Sequence, residues 1–409
     1  MEAEVLNALR DPAGLPTHPL VFLVLGVLTF ALHIAAVQLM LGATGLTLWG
    51  SLSKDAHKRQ LASTMLGVGK VMLSVAIVIG VAPLLFVQVI YDPFWYASNV
   101  LSAWWVIGFI VILSVGYVLM YVYYWMNGNL HDPKQPVKCP GSLLASVALL
   151  LVVGFIMHVL TNQMLTPDLW MQWYAPEGKL DTSGTQLHSF NLWRFAFFIS
   201  LSVPVTGAFL IAMRRYFRVR ADADHAYLDW VGALGMKWIT FGGVASLVVG
   251  AFWLLGLEGK QGEFVTSPWV MVSVAALLGF VAYATWVWNG KRDTMHSYMV
   301  MPVGAVALII VAAAREALRW SVLVGQFGFD VMGYPVNMDW YSTILFFVTF
   351  AVLGGAVLGY LLTVAWQAGQ TVGVYTPSAG VVRMGNIALT VLVLWVVQVF
   401  AVGFYVWAQ

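Results

Sequence analysis

The chain has 409 residues, of which 61 % are hydrophobic types and 9 % charged, with a net charge of +2. A soluble domain carries about a quarter charged residues, so this chain lacks the charge to wet a soluble surface, and its apolar content excludes disorder. The single cysteine, Cys139, excludes an internal disulfide and a cysteine-held metal cluster, and the near-balanced charge gives no footprint for nucleic acid.

The solvent for most of the chain is therefore membrane lipid. A crossing helix needs about 20 mostly apolar residues. Such stretches fall near 20–50, 64–91, 101–126, 142–166, 188–213, 228–257, 267–289, 297–316, 342–366 and 384–407. The reading is an all-α polytopic helical bundle of about ten transmembrane helices, forming a single transmembrane domain over 1–409. The N-terminus opens on Glu2 and Glu4 rather than lysines, and its first apolar run is too long for a signal peptide.

Basic residues alternate along the connections. The first holds Lys54, Lys58 and Arg59; the third Lys134 and Lys138; the fifth Arg214, Arg215, Arg218 and Arg220; the seventh Lys291 and Arg292; the ninth Arg383. The even connections are poor in basic residues, with Lys179 and Lys260 as isolated cases beside Asp168, Glu177, Asp181, Glu258 and Glu263. By the positive-inside rule the odd connections are cytoplasmic and both termini lie outside. Two outer connections, 167–187 and 317–341, are long and rich in Trp, Tyr, Gly and Pro. Loops of that kind cap a site or receive a partner, or they anchor at the interface through their aromatics.

Ionisable groups at membrane depth are expensive and point to function. His33 lies in "LTFALHIAAVQLM" of the first span and His158 in "GFIMHVLTNQM" of the fourth. At 1.5 Å per residue they sit roughly 20 Å and 12 Å below the outer ends of their helices. Neutral imidazole is the usual axial ligand of haem iron, so the pair is a candidate for holding a b-type haem between helices. Either one alone could instead bond a backbone carbonyl. Arg194, in "NLWRFAFF", and Arg315 and Arg319, at i and i+4 in "VAAAREALRW", all fall near the outer face. Arginine pairs bidentately with carboxylates, and haem propionates are carboxylates; snorkelling, or pairing with Glu316, is the structural alternative. Gln88 and Asn162 are amides at the outer ends of spans two and four. His188 and His296 open spans five and eight at the two interfaces, and Lys237 lies in span six at a depth that suits either snorkelling or a proton path. His18, His57, His131 and His225, in the tail or the inner connections, take no role. Motifs for nucleotide binding, covalent c-type haem attachment, zinc hydrolysis and nucleophilic hydrolysis are absent.

The run "KVMLSVAIVIGVAPLLFVQVIYDPFWYAS" (70–98) resembles the second-span region of cytochrome bd oxidase subunit I. Gly80, Val81, Ala82 and Trp95 match that family's pattern, and its haem-ligating Glu falls on Gln88. His33 matches the family's first-helix ligand in position, Asn162 matches an Asn at the end of the fourth span, and the fifth-span ligand histidine falls on Phe197. The resemblance covers roughly 20–257, and the family's long outer quinol loop shrinks here to "LEGKQGEFVTS". It implies a haem-bearing, quinol-linked respiratory protein of a bacterial or archaeal inner membrane, while two replaced ligands put oxygen reduction in doubt and leave His158 as a substitute ligand.

The resulting expectation is a haem b subunit of a respiratory electron-transfer complex. It would pass electrons between membrane quinone (menaquinone or ubiquinone) and a periplasmic c-type cytochrome or other subunits, as the quinol-oxidising, cytochrome b-like part of an oxidoreductase. His33 and His158 would bind iron; Arg194, Arg315, Arg319, Gln88, Asn162 and Trp95 would line the cofactor site. Two alternatives stand beside it. A transporter would use Pro83 and Pro204 to break helices two and five, and a haem-free anchor would keep only the scaffold.

Overall fold

The structure is a computed structural model and describes residues 3–128, 130, 132, 134–257 and 259–409. Glu2, His131 and Glu258, and the side chain of Lys260, lie outside the described residues.

Among the described residues, ten helical spans are long and apolar enough to cross a membrane: α2 (Pro19–Ser51), α3 (Ala56–Ile90), α5 (Ala103–Met126), α6 (Pro140–Gln163), α8–α9 (Leu192–Ser200 and Ser202–Phe217), α10 (His225–Leu255), α12 (Pro268–Asn289), α13 (Met295–Trp320, continued to Gln326), α14–α15 (Trp340–Val348 and Gly355–Gln370) and α16 (Ala379–Trp407). Short helices fill the connections: α1 (Ala3–Ala8), α4 (Asp92–Leu101), α7 (Trp170–Tyr174) and α11 (Gly259–Gly262). All ten expected spans are present, and the fold is all-α.

The helices group into two compact units. One comprises residues 1–12, 19–214 and 229–334, the other 13–18, 215–228 and 335–409. In the first, α2 and α3 pack along their length, α5 pairs with α6, α12 with α13, and α13 returns against α2. Close crossings rest on small residues, as membrane bundles require. A Cβ on Gly207 of α9 would come 2.6 Å from the Gly235 carbonyl oxygen of α10, and one on Gly235 would come 2.8 Å from that of Gly207. In the second unit, α15 and α16 pack together, and Leu15 exchanges backbone hydrogen bonds with Pro335 and Asn337, both 2.8 Å.

Helix edges depart from expectation where polar residues are themselves anchored. Span two begins at Ala56, not near 64, because Asp55 caps the Lys58 N–H at 3.0 Å. Arg59, 3 % exposed, donates to the carbonyls of Ser51, Asp132 and Gln135. A charged side chain satisfied by carbonyls extends a helix beyond its apolar stretch. Span five breaks at Leu201. Pro204 has no N–H to offer the Ser200 carbonyl one turn earlier, so the hydrogen bonding is interrupted there while Leu201 keeps helical dihedrals, φ −61° and ψ −16°. Pro83 lies inside an unbroken α3.

The expected outer loop 317–341 is the larger correction. Its first residues continue the eighth span, as α-helix to Trp320 and then π-helix over Ser321–Gln326. The next segment folds inward: Phe329 and Val331 are fully buried, and Phe329 meets Phe94 edge-on at 4.9 Å. Apolar residues beyond the Arg315–Arg319 pair found protein rather than water. Loop 167–187 is tied to the ends of α5 and α6 through Trp170 Nε1 to the Gln163 carbonyl, 2.8 Å, and Ser102 Oγ to the Gln186 carbonyl, 2.8 Å. His188 follows it, stacked on Trp173 at 5.0 Å, and partial burial holds its imidazole below the ordinary value.

Candidate functional site

His33 lies on α2 where α3 passes closest. Its Nδ1 bonds the Ala76 carbonyl oxygen at 2.9 Å. A carbonyl can only accept, so the ring proton is on Nδ1 and the Nε2 lone pair is free. One turn along α3, Gly80 leaves the space for the ring: a Cβ there would stand 2.7 Å from Nδ1 and 2.8 Å from Cε1. An imidazole oriented through Nδ1–H and open at Nε2 is the arrangement a metal-binding histidine uses. Gly80→Ala is therefore expected to push His33 off the Ala76 carbonyl while α3 stays helical. A nitrogen-15 NMR spectrum of selectively labelled histidine would then show the tautomer preference of that ring lost, with the other histidines unmoved.

His158, 8 % exposed on α6, is engaged differently. The backbone N–H of Asn191 donates to its Nε2 at 3.1 Å. The Asn162 amide, one turn later, also lies on Nε2 at 2.9 Å. Arg194 Nη1 donates to Asn162 Oδ1 at 2.8 Å, which turns the amide nitrogen toward the imidazole and fixes its orientation. Asn191 in addition caps α8, its Oδ1 accepting the Arg194 N–H at 2.9 Å. The lone pair of His158 Nε2 thus holds the start of span five, and through it the root of the Arg194 side chain.

The three arginines come together. Arg194 and Arg319 are 3 % and 6 % exposed, and Arg315 lies within electrostatic reach of both, as well as of Glu316 and Tyr91. The Arg315 charge also reaches His33 and His158, so the two histidines and the arginine cluster form one locale. Glu316 is its carboxylate: it takes Arg319 Nη1 at 2.6 Å and the Tyr91 hydroxyl at 2.8 Å. Arg315 makes no hydrogen bond or ion pair with any described residue; its guanidinium lies 4.0 Å over the Phe30 ring. Among the described residues, the Arg194 guanidinium has the neutral Asn162 and the Trp253 ring, 5.8 Å away. Trp253 Nε1 is buried without an acceptor among the described residues. Among the described residues, three cations stand with one carboxylate, Glu316, and a surplus of N–H donors, an arrangement that can accept further negative charge.

The other expected residues are less engaged. Gln88 is half-buried on α3, one turn before Tyr91, and its amide forms no hydrogen bond with a described residue. Trp95 is 2 % exposed on α4, and its indole N–H lacks an acceptor among the described residues. Phe197, where the resemblance puts a histidine, packs its ring 5.5 Å from Trp253. Sequence reasoning missed Tyr91, Asn191 and Trp253. Tyr91 carried a signal, since it adjoins Asp92 at the end of an apolar span; the others show only through their contacts.

Asp92 closes this end of the bundle. It accepts the Tyr334 hydroxyl, and the Asp11 N–H at 2.8 Å. Burial pushes its carboxyl up and outweighs both hydrogen bonds, and burial together with Asp92 pushes the Tyr334 phenol up. A raised carboxyl pKa means that the folded state holds the proton more tightly than the unfolded chain does. This contribution to stability is full below the unfolded value, about 3.9, and is lost as pH rises through the folded one. Thermal unfolding over an acidic pH series is expected to show this loss in the wild type and not in Asp92→Asn.

The chain matches no protein-family profile and no curated protein. Among solved structures it is similar to a chain of the bd oxidase from Geobacillus thermodenitrificans, at 13 % identity and a TM-score of 0.63, covering 91 % of this chain and 99 % of that one. The likeness read from sequence over 20–257 thus extends through most of the molecule. The chain has the fold of a bd oxidase chain.

Proposed function

We propose that the chain is a haem b-binding subunit of a membrane electron-transfer complex, linking quinol to a redox partner on the outer face. The observation that carries this reading is the Arg315 guanidinium, which bonds no described residue and lies within electrostatic reach both of Arg194 and of His33, whose Nδ1 is bonded to Ala76. The residues fit the group. His33 would hold the iron through Nε2, its tautomer fixed by the Ala76 carbonyl. Arg194 and Arg315 would take the two propionates, with the Trp253 N–H as a further donor. A haem bound here supplies one-electron chemistry at its iron. The protein's own part is to orient one imidazole, neutralise two carboxylates and keep water out with Phe30, Phe197 and Trp253. His158 and Asn162 would position Arg194, and Arg319 with Tyr91 would keep Glu316 from competing for Arg315. The likeness to a bd oxidase chain supports the setting.

The test is the absorption spectrum of the purified full chain, with haem counted per polypeptide. A Soret band that shifts on dithionite reduction supports the reading, and a bare protein spectrum overturns it. In the latter case the broken fifth span and the unpaired arginines favour an anion transporter, which radiolabelled anion uptake into liposomes would reveal.

A further inference from the structure

At the end of the bundle where the basic connections gather, α5 stops at Met126 and the chain returns as α6 at Pro140. A recess of about 240 Å³ lies there. It is smaller than the roughly 300–1,000 Å³ of a site for a whole drug-sized ligand, and of a size for a headgroup. Its floor is buried and includes Arg59 and Asn127. Its rim is exposed and carries Lys138 and Trp125.

The hydrogen bonds that hold the walls leave the cations unbalanced. Asn127 Oδ1 accepts the Lys138 N–H, and its amide donates to the Lys138 carbonyl, both at 2.9 Å. The backbone of residue 138 is thereby fixed to the end of α5, which sets its ammonium at the rim. Arg59 has five N–H donors and gives three of them to the Ser51, Asp132 and Gln135 carbonyls. Its Nε has no acceptor among the described residues. Carbonyl dipoles orient a guanidinium without cancelling its charge. The carboxylates of these two connections are occupied elsewhere: Asp55 caps α3 on the Lys58 N–H, and Asp132 Oδ1 takes the Lys134 N–H at 2.9 Å. No ion pair joins Arg59 or Lys138 to a described residue.

Two cations on one recess, without a counter-charge, call for an anion. Trp125 tells which kind. It lies in the last turn of a span and is 84 % exposed, and an indole so placed sits at the level of the lipid headgroups. The mouth of the recess is therefore at that level. A guanidinium fits the fork of a phosphate, and basic pockets between spans hold anionic headgroups. No carboxylate lines the recess to receive an ammonium, so a zwitterionic headgroup gains at its phosphate and loses at its amine. We propose that this recess binds the phosphate of an anionic phospholipid between Arg59 and Lys138, with the acyl chains leaving past Trp125 into the bilayer. None of these residues belongs to the haem reading, and the two stand or fall separately.

The single cysteine makes the test local. Cys139 is exposed and adjoins Lys138, so a fluorophore on its thiol reports on this recess alone. The full chain is placed in phosphatidylcholine nanodiscs with a trace of phosphatidylglycerol or phosphatidylcholine bearing a nitroxide near the top of one acyl chain. Phosphatidylglycerol is expected to reach half-quenching at about a tenfold lower fraction, on the scale of one charge-assisted hydrogen bond. Lys138→Gln and Arg59→Gln should each remove most of that preference. Lys138→Gln leaves the Arg59 bonds intact and carries the test if Arg59→Gln fails to fold. Lys134→Gln takes the same charge from the same connection but from outside the recess, and should leave the preference in place. Inorganic phosphate equimolar with the labelled lipid, against chloride, should leave the quenching unchanged. Equal quenching by the two lipids, or a preference that survives Lys138→Gln, would overturn the proposal. An equal loss in Lys134→Gln would reduce the effect to diffuse surface charge, and release by inorganic phosphate would make the ligand a free anion; either result would overturn it as well.

Discussion

Alanine at His33 is expected to strip haem from the purified protein, leaving about a tenth or less of the wild-type Soret absorbance, while alanine at His158 leaves most of it. The two imidazoles differ in what their nitrogens already do. His33 gives its proton to Ala76 and keeps Nε2 free; His158 has Nε2 committed to Asn191 and Asn162. Loss of a direct ligand removes the bond to iron itself, whereas loss of a supporting hydrogen bond changes metal affinity by about 10–100-fold. Imidazole added to His33→Ala should restore the band by entering the vacated space above Gly80. His158→Ala should instead lower stability by about 1–3 kcal/mol, because it leaves the part-buried Asn191 N–H without its acceptor, while the Asn162 amide keeps only the carbonyl of residue 158. The reverse pattern, with haem lost from His158→Ala and kept in His33→Ala, would assign the iron to the other ring and overturn this account.

The spans were legible because lipid forces them: ten apolar stretches leave few alternatives once the backbone must bond to itself. The arginine cluster was legible for a similar reason, since Arg194, Arg315 and Arg319 stand out against apolar neighbours. The roles of the histidines were not. Both read alike as candidate haem ligands, and only the path of α3 past His33 and of the α8 cap past His158 separates them. Gly80 matched a pattern in the sequence, but its reason, the 2.7 Å clearance over His33, belongs to helix packing. Residues 317–326 were misread as loop because they follow Arg315 and include Arg319, and arginines usually mark the edge of lipid. Here one arginine is paired with Glu316 inside the bundle, so the edge lies further on.

Arg315 and Arg319 stand one helical turn apart, yet their removal should act with opposite sign in protein made without haem. Arg319 is bonded to Glu316 at 2.6 Å, with both side chains largely buried, 7 % and 15 % exposed. Arg319→Leu leaves that carboxylate with only the Tyr91 hydroxyl, and breaking a buried pair from one side costs about 3–5 kcal/mol. Arg315 has no such partner. Arg315→Leu removes an uncompensated charge and keeps an apolar filler against Phe30, so the haem-free protein should become more stable, by about 1–4 kcal/mol on the scale of replacing buried ions with hydrophobic residues. In haem-loaded protein the sign reverses, because a charge-assisted hydrogen bond contributes about 1.5–3 kcal/mol, roughly 10–100-fold in haem retention. Unfolding of both variants, each prepared with and without haem, gives the comparison directly. Destabilisation by Arg315→Leu of the same size in both preparations would mean that a protein group, not an anion, already balances this arginine, and the propionate assignment would fall with it.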